Sequence, residues 1–239
     1  MPGIDKSTVA AVRARLTHGA AISGKSVPTP LKQVAKQLAL ATAFLWDPVH
    51  IAWFRHSRGW QGPVPPFPNR WRVGAWRAPY YFAHGKDCQQ DLGERLVRYT
   101  GQPLSDLTVL DLACGPGRIA QFFDGQLASL SACDVDQSAI AYLRKYFPRI
   151  NARANQSDQP LPFGAASFDV VYSWSLWTHL REDAQQRYLE ELHRVLRPGG
   201  WAFLTTNGHR WLDDYQAYPR AEPYWLSVSH DDISRHGLL

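Results

Sequence analysis

Several features that would define a class of protein are scarce or missing in this chain of 239 residues. Cysteine occurs three times, and the spacing of Cys88, Cys114 and Cys133 fits neither a disulfide framework nor a metal site; it suits a reducing cytosol. The first 25 residues lack the apolar block of a secretory signal. The longest apolar run, over residues 38–46, is far too short to cross a bilayer. We therefore expect a folded cytoplasmic protein that holds no metal.

Positive charge is concentrated in the front of the chain. Residues 1–86 carry twelve Lys and Arg against two Asp, whereas residues 87–239 carry fourteen against nineteen Asp and Glu, for a net charge of +5. A basic segment joined to a mildly acidic domain favours an anionic partner, such as lipid headgroups, an acidic substrate or nucleic acid. A solvated basic helix without any partner is an equally good interpretation.

The patterns along the chain divide it into three zones. Residues 1–60 predict a basic helical extension with its apolar side chains near one face. Residues 61–85 are rich in proline and aromatics, and they predict an extended, non-helical connector or a cap. From residue 86 to 239, helix and strand patterns alternate, which predicts an α/β domain with a Rossmann-like, doubly wound, mostly parallel sheet.

The aromatic N-terminal extension has two interpretations. Residues 31–54 are basic, amphipathic and carry Trp46 and Trp53, a pattern that suits peripheral contact with a membrane. A helix that packs as a cap over a domain has the same pattern, and such a segment could instead wall an apolar or glycan-bearing substrate pocket. Both interpretations stay open at the level of the sequence.

A glycine-rich turn after a buried strand is the most informative motif. The apolar run over residues 107–112 breaks at Gly115 and Gly117, and a second short strand ends on Asp134, about twenty residues further on. Glycines let a backbone approach a ligand closely, and a carboxylate at the second strand end can accept both hydroxyls of a ribose. The motif therefore predicts a ligand that carries a ribose.

Four blocks, in this order and spacing, resemble those of the class I S-adenosylmethionine-dependent methyltransferases. They are Val109-Leu-Asp-Leu-Ala-Cys-Gly-Pro-Gly117, Cys133-Asp-Val-Asp136, Leu161-Pro-Phe163 with Ser167-Phe-Asp-Val-Val171, and Arg194-Val-Leu-Arg-Pro-Gly-Gly200. The resemblance extends from about residue 70 to residue 210. Thr178-His-Leu180, after the fourth strand, is similar to the small-molecule branch of that family.

The resemblance implies S-adenosylmethionine as the cofactor. Asp111 would orient the loop and the methionine amino group, and Asp134 would hold the ribose hydroxyls with Val135 against the adenine. The other implied cofactor positions are Ala113, Cys114, Gly115 and Gly117 on the methionine and ribose side, Asn155 and Gln156 toward the adenine, and Ser173 beside the methionine. Arg118 either pairs with the methionine carboxylate or is a surface arginine.

The chain departs from the family in two places. Ala113 replaces the first glycine of the loop, where its methyl group would be strained if the backbone needs a positive φ. The family's sheet ends in a hairpin of two further strands, whereas residues 229–239 look like the helix and glycine that precede that hairpin. We therefore expect the hairpin to be missing, so that the edge of the fifth strand is either open, as an aggregation or homodimer edge, or covered by another segment.

Methyl transfer needs a general base only where the acceptor loses a proton. Candidate catalytic bases are His179, after the fourth strand, and His209, after the fifth, since parallel sheets bind ligands at the carboxyl ends of their strands. His84 lies in a segment that could close over the cofactor. Each histidine can equally be a structural residue.

The leading hypothesis is methyl transfer to a small-molecule or lipid-linked metabolite. A dehydrogenase that binds NAD would explain the glycine loop and Asp134, but not Asp111 or the Arg-Pro-Gly-Gly block that ends at Gly200. A nucleic-acid methyltransferase would suit the basic N-terminal half, yet residues 173–177 do not carry the Asn/Asp-Pro-Pro-aromatic block of the enzymes that methylate base amino groups. A fourth hypothesis is a truncated methyltransferase-like protein that binds the cofactor without turnover.

Overall fold

A computed structural model describes residues 29–206 and 224–229. The chain divides into two compact units, residues 1–48 and residues 49–239. Helix α1, Thr29–Arg58, contains Pro48 and is the described part of the first unit up to that residue. Within the described ranges, none of the helices is long and apolar enough to cross a membrane.

Six strands form one sheet in the order β3-β2-β1-β4-β5-β6. The strands are β1 (Thr108–Leu112), β2 (Ser129–Asp134), β3 (Asn151–Ala154), β4 (Phe168–Ser173), β5 (Leu196–Thr206) and β6 (Tyr224–Ser229). The first five strands are parallel, and β6 pairs antiparallel to β5. This topology confirms the predicted α/β, Rossmann-like sheet.

Helices cover both faces of the sheet because successive strand residues point to opposite sides. The helices after α1 are α2 (Phe67–Arg72), α3 (Ala78–Thr100), α4 (Ala120–Phe123), α5 (Gln137–Tyr146) and α6 (Glu182–Val195), with 3₁₀ turns at Leu104–Asp106 and Trp177–His179. On one face Val109 packs in a core with Leu92 of α3, and on the other Leu110 packs with Leu192 of α6. Strands that are buried on both faces explain the continuous apolar runs in the sequence.

The prediction of a non-helical segment over residues 61–85 is wrong. Helix α2 lies within it, and the first eight residues of α3 also belong to it, so the expected boundary at residue 86 falls inside a helix. The prolines begin these helices instead of interrupting them, because proline is tolerated in a first turn, where its missing N–H has no partner to lose.

The aromatic side chains of this region form a third core. Phe54, Tyr81 and Phe82 are buried together, and the rings of Trp60 and Phe82 lie 4.0 Å apart between centroids. Aromatic rings bury a large apolar area, so the composition that suggested a connector instead stabilises a packed cluster within residues 49–239.

The edge of β5 is covered by another segment of the chain. Strand β6 pairs with it from Trp201 opposite Ser229 to Thr206 opposite Tyr224. An open fifth strand was the reason to expect a homodimer edge there, and that reason does not hold. A single antiparallel strand, and not the family's two, follows β5 among the residues that are described. Residues 230–239, expected to form a helix, lie outside the described residues.

Two glycines of α3 allow a matched test of its packing. A methyl group at Gly85 would overlap the backbone carbonyl oxygen of Arg118, whereas one at Gly93 would only touch Leu104 at 3.6 Å. We expect Gly85→Ala to lower the free energy of unfolding by roughly 1–3 kcal/mol through overpacking. Gly93→Ala should raise it by roughly 0.5–1 kcal/mol, since alanine favours a helix.

Chemical denaturation of the two variants and the parent protein measures both effects. Equal stability of the Gly85→Ala and Gly93→Ala variants would contradict the close approach of α3 to the loop that contains Arg118.

Candidate functional site

A cavity of about 550 Å³ lies at the carboxyl ends of β1, β2 and β4. The strand order reverses beside β1, and open parallel sheets bind ligands at such a point. The cavity is lined by Asn69, Trp71, Arg72, Val73, Gly74, Asp111, Ala113, Cys114, Gly115, Pro116, Arg118, Ile119, Asp134, Asp136, Trp174, Ser175, Leu176 and His179. Six of the predicted site residues are therefore brought together: Asp111, Ala113, Cys114, Gly115, Asp134 and His179.

The loop after β1 has the left-handed backbone that its glycines suggest. Ala113, Gly115 and Gly117 have φ values of 62°, 53° and 77°. Alanine at such a φ costs about 1 kcal/mol relative to glycine, so Ala113, which replaces a glycine of the family's pattern, is strained at this position. The Cys114 N–H donates to the Cys133 carbonyl at 3.0 Å, which ties the loop to β2.

The carboxylate of Asp134 is buried and held from two sides. Its Oδ2 accepts a hydrogen bond from the Gly115 N–H and its Oδ1 accepts one from the Asp136 N–H, both at 2.8 Å. Arg72 also reaches this carboxylate, with its Nη2 3.3 Å from Oδ1. These contacts fix the orientation of the Asp134 oxygens at the cavity.

Asp111 is a second buried carboxyl group in the cavity. Burial raises its pKa to about 7, partly opposed by the hydrogen bond that the Tyr172 hydroxyl donates to Oδ2 at 2.8 Å. The charge of Asp134 raises this pKa further. Near neutral pH Asp111 is therefore partly protonated, and a nearby cation would favour its ionised form.

The histidine candidates have different positions. His179 ends the 3₁₀ turn after β4 and lines the cavity. His84 lies in α3 outside the cavity lining, with its Nδ1 3.1 Å from Cys88 Sγ and its ring 5.5 Å from that of Trp174. Burial, with Arg118 nearby, lowers the pKa of His84. His209 lies outside the described residues.

Five predicted cofactor positions do not line the cavity. Gly117 faces α5, where a methyl group would overlap Leu143, so its packing requires glycine. The Asn155 N–H donates to the Asp134 carbonyl at 3.1 Å, while Gln156 and Val135 are exposed. Ser173 is fully buried. The cofactor roles of these residues stay predictions.

Local sequence patterns missed the side of the cavity that residues 69–74 form. Trp71, Arg72 and Val73 belong to or follow α2, a segment interpreted as a connector. An added Cβ on Gly115 would lie 2.7 Å from Val73 Cγ1, so the absence of a side chain there makes room for this segment. Arg118 is half-buried and donates from Nη1 to the Val73 carbonyl at 3.2 Å. The arginines and tryptophans of this stretch were the available signal, but nothing local identifies their partners.

A family model described as a methyltransferase domain matches residues 109–200, which include the glycine loop, Asp134 and His179. A probable S-adenosylmethionine-dependent methyltransferase of Mycolicibacterium smegmatis is 36% identical over 103 residues, which are 43% of this chain and 38% of that protein. Residues 109–200 are thus the part of this chain that is similar to a methyltransferase domain.

Other relatives match the same domain. A malonyl-[acyl-carrier protein] O-methyltransferase of Enterobacter lignolyticus is 29% identical over 130 residues, which are 54% of this chain and 49% of that protein. Among solved structures, a TehB-like methyltransferase of Corynebacterium glutamicum is 24% identical with a TM-score of 0.42, and the match covers 54% of this chain and 75% of that one. The chain spans half or less of the length of the first four curated relatives that it matches.

Asp111→Asn should stabilise the ligand-free methyltransferase domain at pH 8, by roughly 1–4 kcal/mol, because one pKa unit corresponds to about 1.36 kcal/mol. The pKa of Asp111 is raised in the folded state, so its contribution to stability is complete below the unfolded pKa, near 4, and is lost as the pH rises through about 7. The advantage of Asn over Asp should therefore grow between pH 4 and pH 8.

Urea denaturation at several pH values measures this trend. The matched control is Asp158→Asn, which changes an exposed carboxylate and should alter stability by less than about 0.5 kcal/mol. If Asp111→Asn changed the free energy of unfolding equally at pH 5 and pH 8, the raised pKa of this buried carboxyl would be contradicted.

Proposed function

We propose that this protein transfers a methyl group from S-adenosylmethionine to a small-molecule or lipid-linked acceptor. The observation that carries the proposal is the orientation of Asp134, whose buried carboxylate is held against the glycine loop by the Gly115 N–H at the edge of the cavity. Because a carboxylate oxygen has about two lone-pair sites, Oδ2 keeps one that can accept a ribose hydroxyl.

The second carboxyl group suits the methionine end of the same cofactor. Asp111 lies near the end of β1, just before the loop residues Ala113 and Cys114, and is nearly fully buried. A buried carboxylate needs a cationic partner, and the ammonium group of the methionine moiety would supply one. The residues present therefore fit a ligand with a ribose at one end and an ammonium group at the other.

The bound cofactor would supply an electrophilic methyl group on a sulfonium, for transfer to an acceptor that the protein holds in line with it. Because positive charge disperses during this reaction, the protein contributes mainly alignment and exclusion of water. Trp71, Trp174 and Leu176 give the cavity apolar walls for that purpose. These walls would orient the acceptor through apolar contact.

His179 is the proposed general base for an acceptor that loses a proton, since it lines the cavity beside these walls. His209 stays a second candidate, without a described position. A His179→Gln variant that keeps its affinity for S-adenosylhomocysteine but transfers methyl groups more slowly would support this role, whereas unchanged turnover would remove it.

The names of the relatives do not agree on an acceptor. They include the malonyl-[acyl-carrier protein] enzyme and a ribosomal RNA small subunit methyltransferase of Chromohalobacter salexigens, 31% identical over 147 residues. We favour a small or lipid-linked acceptor over nucleic acid because Trp71, Ile119, Trp174 and Leu176 provide apolar walls. Nucleic-acid methylation and cofactor binding without turnover are the alternatives.

Calorimetric titration with S-adenosylhomocysteine and with NAD tests the cofactor. We expect the first to bind and the second not to bind. Asp134→Asn should weaken S-adenosylhomocysteine binding by about tenfold or more, because a charged acceptor to two hydroxyls is lost. Asp158→Asn is the control and should bind like the parent protein. Preference for NAD, or binding that is indifferent to Asp134→Asn, would contradict the proposal.

Helix α1 supports a second proposal, peripheral contact with an anionic membrane. Its described residues expose a series of large apolar side chains, with Leu45 74% exposed and Trp46 64% exposed. The others are Val34, Leu38, Phe44, Val49 and Trp53. The helix carries four Lys and Arg against one Asp, so an apolar face of this kind suits a bilayer with anionic headgroups.

Sedimentation with vesicles of phosphatidylcholine and phosphatidylglycerol tests this contact. We expect a double variant, Leu45→Ser with Trp46→Ser, to sediment less than the parent protein, because it loses buried apolar area at the interface. The control pair is Val97→Ser with Tyr146→Ser, which removes two other exposed apolar groups outside α1, 43% and 44% exposed. Equal sedimentation of both double variants, or no sedimentation of the parent protein, would remove the membrane proposal.

A further inference from the structure

Arg72 lies between the two carboxylates at the end of β2. Its Nη1 is 2.7 Å from Asp136 Oδ2, and its Nη2 is 3.3 Å from Asp134 Oδ1. The Arg72 side chain is 47% exposed, whereas that of Asp134 is 8% exposed. The partly exposed side chain of Arg72 is therefore paired with Asp134, the buried carboxylate that is proposed to bind the ribose.

The acceptor capacity of Asp134 limits what can bind there together. Each carboxylate oxygen has about two lone-pair sites. Oδ1 accepts from the Asp136 N–H and has Arg72 Nη2 3.3 Å away as an ion-pair partner, while Oδ2 accepts from the Gly115 N–H. Two neighbouring ribose hydroxyls that bind in bidentate fashion need one free site on each oxygen. With the Arg72 guanidinium beside Oδ1, only Oδ2 is left clear of a charged partner.

We propose that Arg72 competes with the ribose of the cofactor for Asp134 and so sets the cofactor affinity of the site. This inference rests on the proposed function, because it takes S-adenosylmethionine as the ligand. When the ribose binds, the guanidinium leaves Asp134 Oδ1 and keeps its contact with Asp136 or turns to solvent. Arg72 is thus a determinant of affinity that acts by occupying the site, and not by binding the cofactor.

The exchange needs a side-chain movement and no displacement of α2. The segment is held independently of Asp134: Asn69 donates to Ser138 Oγ at 2.7 Å, and Arg118 Nη1 donates to the Val73 carbonyl at 3.2 Å. Arg70 is fully buried and donates from Nε to the Pro65 carbonyl at 2.8 Å. These anchors keep the wall of the cavity in place while the guanidinium of Arg72 moves.

The competition has a salt signature. An ion pair that is partly exposed weakens as ionic strength rises. Because S-adenosylhomocysteine carries no net charge, salt should act on its binding mainly through the pair that it displaces. We therefore expect the parent protein to bind S-adenosylhomocysteine more tightly at 300 mM than at 50 mM NaCl.

Calorimetric titration of Arg72→Gln with S-adenosylhomocysteine tests the proposal. At 50 mM NaCl the variant should bind about two- to fivefold more tightly than the parent protein, the range that loss of an exposed ion pair allows, and its affinity should depend little on salt. Arg98→Gln removes the same charge from an exposed position of α3 and should behave like the parent protein. In an Asp134→Asn background, the gain from Arg72→Gln should vanish, because the competition requires that carboxylate.

The outcomes separate the proposals. Equal or weaker binding by Arg72→Gln would overturn the competition and make Arg72 a cofactor ligand or a bystander. A gain that persists in the Asp134→Asn background would also overturn it. Absence of S-adenosylhomocysteine binding in the parent protein and in every variant would instead remove the proposed function on which the inference rests.

Discussion

The hydrogen bond from the Gly115 N–H to the Asp134 carboxylate is the contact on which the cavity depends. It joins the loop after β1 to the end of β2, two parallel strands that are already neighbours in the sheet. Because the carboxylate is buried, an unsatisfied oxygen would be costly, so the loop and the strand end stabilise each other. The Asp134 carboxylate is then an acceptor with a fixed direction. Around it lie the Asp136 N–H, the Arg72 guanidinium and the start of α5.

The loop itself combines strain with close packing. Ala113 keeps a left-handed backbone despite its methyl group, which indicates that neighbouring contacts determine the loop conformation more strongly than the preference of one residue. Gly115 leaves room for Val73, and Gly117 leaves room for Leu143 of α5. Two glycines of one motif thus serve different neighbours, one at the cavity wall and one in the core.

Much of the sheet could be predicted from local patterns, because strands buried on both faces are continuous apolar runs and the turn after β1 needs glycine. Other elements were missed for physical reasons. The prolines in the first turns of α2 and α3 give this segment the composition of an extended connector. The packing of Phe54 with Phe82 is what distinguishes a folded segment from a connector. Strand β6 is six residues long, and its alternation of apolar and polar residues is weak evidence without its partner β5. The pairing of Arg72 with Asp134 and Asp136 joins residues more than sixty positions apart, which no local pattern encodes.

The burial of Asp111 has a consequence for the energetics of binding. If the ammonium group of the proposed cofactor faces this carboxyl, a group that titrates near neutrality in the ligand-free protein would become ionised on binding. Binding would then release protons to the solution, and its measured heat would depend on the ionisation enthalpy of the buffer. Because protons would be a product of the binding equilibrium, occupancy at a constant ligand concentration would fall as the pH drops below about 7.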